Sequence, residues 1–125
     1  MKLLLIEPMH EPREIEIEKG LSALQEAVGG SIQAVYPFDD PVALIVNDDG
    51  KIDGLPYNRV LRDEEGQIYD ILAGNILVAG LGEEDFADLS PDLMHKYMEL
   101  FRVPEQFLNI DGAIIVVSCP VDPQT

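Results

Sequence analysis

Short apolar runs separated by polar turns recur along the whole chain, and their periods predict an α+β protein. Leu3-Leu4-Leu5-Ile6 is an apolar run of strand length, ended by Glu7 and Pro8, and predicts a first strand over residues 2–7. Glu14-Ile15-Glu16-Ile17-Glu18 alternates strictly, which puts Ile15 and Ile17 on a buried face and three glutamates in water. Leu21, Leu24 and Val28 then fall at helical spacing. Ser22 and Gln25 stand at capping-box spacing, and Gly29-Gly30 closes the helix with one glycine in the left-handed region. Residues 31–36 predict a third strand.

Val42-Ala43-Leu44-Ile45-Val46 is the densest apolar run, rich in β-branched residues and too short for a helix. Pro37 and Pro41 bracket its approach. Asn47-Asp48-Asp49-Gly50 closes it and predicts a hairpin with Gly50 at positive φ, the chain returning through Lys51 to Leu55. The order strand, strand, helix, strand, strand resembles a β-grasp-like layout for the N-terminal half. Residues 68–72 and 75–79 are two further apolar segments around Ala73-Gly74. Ser90-Pro91-Asp92 is the clearest helix start: a capping hydroxyl, proline at the first helical position and an acid in the first turn. Leu93, Met94, Tyr97, Leu100 and Phe101 form its predicted buried stripe, with His95, Lys96 and Glu99 in water. Val103-Pro104 stops it. Residues 105–108 read as a short helical turn, Ile110-Asp111-Gly112-Ala113 as a hairpin-like turn, and residues 114–118 as a buried last strand. The expected fold is thus α+β, with a mixed or antiparallel sheet and two main helices.

Length adds one constraint. At 125 residues the chain supports one domain, expected over 1–119, with a polar, flexible tail over 120–125. No apolar run approaches the roughly 20 residues that span a bilayer, and the apolar core at the start is too short for a secretory signal. A single cysteine, Cys119, allows no internal disulfide, in keeping with a cytoplasmic protein.

Charge changes the picture more. Asp and Glu number 24 against 8 Lys and Arg, a net charge of −16. Phosphate backbones would repel such a chain, so direct nucleic-acid binding is not expected, nor is a membrane partner; a basic protein surface would attract it. The chemistry for an enzyme is thin. His10 lies in a turn, His95 on a solvent face, and Cys119 has no base beside it in sequence. No register of residues 47–58 meets the ligand pattern of a calcium loop, no Cys/His cluster suits zinc, and Gly80-Leu81-Gly82 runs into Glu83-Glu84-Asp85, which would repel a phosphate. No metal or cofactor is expected. A two-carboxylate site stays open among so many acids.

Several stretches together carry a family likeness: Tyr36-Pro37-Phe38-Asp39-Asp40-Pro41-Val42-Ala43-Leu44, Gly54-Leu55-Pro56-Tyr57-Asn58-Arg59, Tyr69-Asp70-Ile71-Leu72-Ala73-Gly74 and Gly80-Leu81-Gly82-Glu83-Glu84-Asp85-Phe86. They resemble domain-of-unknown-function family 3846, over about Met1 to Val117. The resemblance implies a cytoplasmic protein carried largely by phages, plasmids and conjugative elements. It brings no assigned activity and no catalytic residues.

Two readings of function follow. In the first, a non-enzymatic accessory protein uses Asp48, Asp49, Glu83, Glu84 and Asp85, with Asp39 and Asp40, as one acidic face for a basic host factor, the acids imitating phosphates. In the second, Tyr36, Asp39, Asp40, Tyr57, Asn58 and Arg59 line a pocket for a small ligand such as a nucleotide-like signal, with Arg59 holding its anionic group. The competing structural account of that cluster is a turn network with Arg59 paired to an acid.

Overall fold

The computed structural model describes residues 1–120. The expected tail over 120–125 therefore lies almost wholly outside the described residues. Ten strands and two helices follow in the order β1 (Lys2–Ile6), β2 (Arg13–Glu16), α1 (Leu21–Val28), β3 (Ile32–Val35), β4 (Val42–Asn47), β5 (Tyr57–Arg62), β6 (Ile68–Ala73), β7 (Ile76–Leu81), β8 (Phe86–Ala87), α2 (Pro91–Leu100), β9 (Glu105–Ile110) and β10 (Ala113–Ser118). The main sheet runs β2-β1-β7-β4-β3, with β8 added to β7; β5–β6 and β9–β10 form two separate hairpins. Every pairing is antiparallel. The fold is α+β, as the hydrophobic pattern implies.

The apolar runs of β1, β4 and β7 are continuous because all three strands are buried on both faces. Successive side chains alternate between two cores. Leu3, Leu5, Ile45, Leu77 and Ala79 meet Leu24 and Val28 of α1. Leu4, Ile6, Leu44, Val46, Ile76 and Val78 meet Met94, Tyr97 and Phe101 around α2, together with Leu61 and Leu72 of the β5–β6 hairpin. The edge strands β2 and β3 keep the alternating pattern, and Ile15 and Ile17 pack against the α1 core as their spacing implies.

α2 begins as the sequence predicts, Ser90 Oγ accepting from Leu93 N–H with Pro91 at the first helical position. Leu100 departs from its stripe and is exposed. α1 ends on Gly29 in the left-handed region, but its start is a correction: the helix begins at Leu21, so Ser22 lies inside the first turn and no side chain caps it.

The central hairpin is also corrected. β4 pairs with β3 and β7, and residues 51–55 never return as a strand. Residues 47–55 instead fold into consecutive turns, with Gly50 N–H donating to Asn47 O (3.3 Å), Asp53 N–H to Asp49 O (2.8 Å) and Leu55 N–H to Gly50 O (2.8 Å). The positive φ in this loop falls on Gly54 (+74°), not on Gly50. Gly50 sits at a close approach: a Cβ there would stand 3.2 Å from Ala73 O.

The C-terminal segment is the largest departure. Residues 105–110 form a strand where a helical turn is predicted, in six-pair register with β10 from Ala113↔Ile110 to Ser118↔Glu105. The turn at 110–113 is as expected, with Asp111 (φ 52°) and Gly112 (φ 84°) both left-handed, the geometry of a tight two-residue hairpin. The last strand is exposed rather than buried, because among the described residues no layer covers its outer side.

Candidate functional site

The residues singled out in the sequence separate into three places. Val42 pairs with Gly80, and Leu81 N–H donates to Pro41 O (3.1 Å), so the 36–41 and 82–85 loops share one end of the main sheet. Asp48 N–H donates to Ser31 O (2.8 Å) at the opposite end of β4. Six strand residues at about 3.3 Å each separate the two ends by roughly 20 Å. Asp48 and Asp49 therefore do not share a face with Glu83, Glu84 and Asp85, and the single acidic face expected from sequence is divided. Spacing along the chain carried no information about which turns the sheet brings together.

Asn58 and Arg59 occupy a third place, in the interior. The β5–β6 hairpin packs into the α2-side core beside the end of that helix, and Arg59 is 1% exposed. Its Nε donates to Phe101 O (3.2 Å). Nη1 donates to Asn58 O (3.2 Å) and Asn58 Oδ1 (2.8 Å), and Nη2 to His10 O (2.7 Å) and Phe101 O (2.9 Å). A guanidinium has five N–H donors, and all are used. Asn58 Nδ2 donates in turn to Ile6 O and Gly74 O, both at 2.8 Å. The pair ties the β1–β2 loop, β5, the turn after β6 and the end of α2 together. Burial pushes the Arg59 pKa down, partly offset by the nearby Glu105 carboxylate; it stays protonated at any physiological pH.

This is close to the turn network set against a ligand site, with one difference: the Arg59 cation is held by backbone carbonyls and an amide oxygen, not by an acid within ion-pair distance. Tyr57 stands outside this network, its ring edge-on to Phe107 with centroids 5.5 Å apart. The six residues proposed to line one pocket are thus not brought together.

Asp40 has a structural partner that local sequence did not announce. Its Oδ2 accepts from Lys96 Nζ (2.5 Å) and from Tyr97 Oη–H (2.6 Å), bolting the 36–41 loop to α2. Those two bonds, Lys96's first, hold the Asp40 carboxyl below its ordinary range against the opposing effect of desolvation. Burial pushes the Tyr97 hydroxyl well above its usual value, and the bond to Asp40 adds to this. Lys96 and Tyr97 lie 56 and 57 residues from Asp40, with no local signal for the contact.

What remains exposed at that end is a distinct surface. Tyr36, 60% exposed, and Leu81 line a hollow of about 400 Å³ with Gly82, Glu84, Asp85 and Phe86. Glu83 and Asp39 are exposed beside it in the same two loops. Among the described residues, none of Asp39, Glu83, Glu84 and Asp85 pairs with a cation. The site is an aromatic and apolar floor with carboxylates around it.

No curated protein and no solved structure matches the chain. One family model does, matching residues 1–102, which reaches through α2 and stops before the β9–β10 hairpin. That match covers all of the main sheet and both helices, and the chain belongs to the family described as Domain of unknown function (DUF3846).

Proposed function

We propose that this protein is a non-enzymatic interaction protein that binds a basic partner through the Tyr36–Leu81 hollow and the carboxylates around it. The observation that carries the reading is a group of acids with no ion-pair partner among the described residues, Glu83, Glu84, Asp85 and Asp39, around an exposed aromatic floor. A long basic side chain suits such a surface: its stem packs on the tyrosine ring while its charged head pairs with carboxylates. A net charge of −16 adds long-range steering toward a basic protein and repels nucleic acid. As an accessory protein of a phage or plasmid, working in the cytoplasm, it would meet such partners among the nucleic-acid-binding factors of its host, whose phosphate-binding surfaces the acids would occupy. The ligand-pocket reading has less support, since an anionic ligand would have to displace an internal carbonyl from Arg59.

The test is capture of partners from host extract at low and high salt, with wild type, a Glu83→Gln/Glu84→Gln/Asp85→Asn variant and an Asp48→Asn/Asp49→Asn variant. A basic protein held at low salt, released at high salt and lost in the triple variant alone is the expected result. Capture that survives high salt or the triple substitution overturns the reading.

A further inference from the structure

We propose that the hollow between β6 and the turns that follow β4 binds a small zwitterion with an apolar body, the chemistry of a free aliphatic amino acid. The hollow holds about 230 Å³. At roughly 30 Å³ for each water of the liquid, that is room for a molecule of about eight non-hydrogen atoms. It shares no residue with the Arg59 network or with the Tyr36–Leu81 hollow, so it does not depend on the acidic end.

An apolar floor lies beneath a charged rim, the usual build of a small-molecule site. Val46 and Leu72 belong to the α2-side core, Val35 packs against it, and Ala73 is buried. On the rim, Lys51 Nζ donates to Asp70 Oδ1 of β6 at 2.7 Å, so a cation and a carboxylate from two separate elements stand together over that floor. Asp48, with no cation partner among the described residues, adds a second carboxylate to the lining. Ile52 stands at the mouth, 86% exposed, more than any other large apolar side chain among the described residues. An apolar body in the hollow would give it a surface to cover.

Charge selects the class of guest. An ion pair as exposed as Lys51–Asp70 contributes little to stability, so a guest that comes between its two halves sacrifices little. A zwitterion repairs both: its carboxylate accepts from Lys51 and its ammonium donates to Asp70, with Asp48 close by. An anion in the same place would leave Asp70 without a cation, and an amine would leave Lys51 without an acid. The floor offers no partner to a polar side chain, and Asp48 and Asp70 would repel an acidic one.

Isothermal titration calorimetry of the full chain with leucine, isoleucine and valine tests the site. At least one is expected to bind with a Kd below about 1 mM. For leucine the analogues are isopentylamine, which lacks the carboxylate, and 4-methylpentanoate, which lacks the ammonium; each should bind at least about tenfold more weakly than the amino acid. Lys51→Met should erase the preference for the carboxylate, so that amine and amino acid bind alike. Asp70→Asn should erase the preference for the ammonium in the same way. Circular dichroism checks that each variant is folded, and two variants keep the test valid if one is not. The Glu83→Gln/Glu84→Gln/Asp85→Asn variant should bind as wild type does, which separates this site from the acidic end. Absence of binding by all three amino acids up to about 10 mM overturns the proposal. So does an amine that binds wild type as tightly as its amino acid, or binding that neither folded rim variant alters.

Discussion

Replacing Arg59 by methionine tests the most consequential assignment in the molecule. The substitution keeps an unbranched side chain of similar length and removes the guanidinium, leaving Phe101 O, His10 O, Asn58 O and Asn58 Oδ1 without their charged donor. A buried acceptor left dry costs about 1–3 kcal/mol. Two effects lower the sum. The hollow of about 260 Å³ between Arg59, Phe101 and Glu105 lets water reach part of the vacated site, and the cost of holding a cation away from water is recovered. The expected net loss is about 2–4 kcal/mol, a large share of the roughly 5–15 kcal/mol that holds a domain together. Urea unfolding followed by circular dichroism measures it as a lower midpoint at unchanged slope. Asn58→Ala should be destabilising as well, and the double variant should lose less than the sum, because one hydrogen bond joins the two side chains. A loss for Arg59→Met below about 0.5 kcal/mol, the range of ordinary surface changes, would refute the reasoning. It would show that the guanidinium is not committed to the interior and return Arg59 to the role of a ligand-binding cation.

Asp40, its pKa depressed by Lys96 and Tyr97, contributes stability that is present above its unfolded pKa and lost as pH falls through the lower folded value. Acid titration of stability below about pH 4 should therefore be flatter in Asp40→Asn than in wild type, and identical curves would dismiss the contact. Tyr97 has the opposite sign: its raised pKa favours the neutral hydroxyl, so stability is full below about pH 10 and falls as pH rises beyond. Tyr97→Phe should remove that alkaline loss, read by thermal melts in alkaline buffers. Gly80 lies against Asp88 O and Ala87 O, and Gly80→Ala should cost about 1–3 kcal/mol by forcing β8 away from β7; an unchanged urea midpoint would mean that this strand pair is loose in solution.

By itself the sequence determined the parts of this protein that depend on neighbours along the chain. The apolar runs of β1, β4 and β7 marked the central strands, because a strand covered on both faces has no reason to alternate. Ser90-Pro91 marked the start of α2 and Asp111-Gly112 the tight turn, since caps and turns are satisfied within a few residues. Net charge, too, needs no fold. Only the tertiary structure decided the rest. Arg59 reads as an exposed turn cation until His10 and Phe101, 49 and 42 residues away, supply the carbonyls that make its burial tolerable. Asp48 and Glu83 look alike as acidic turns until antiparallel pairing sends them to opposite ends of one strand pair. The run at 113–117 has the composition of an interior strand, yet burial depends on whether another layer exists to cover it, and that is a property of the whole fold, not of the run.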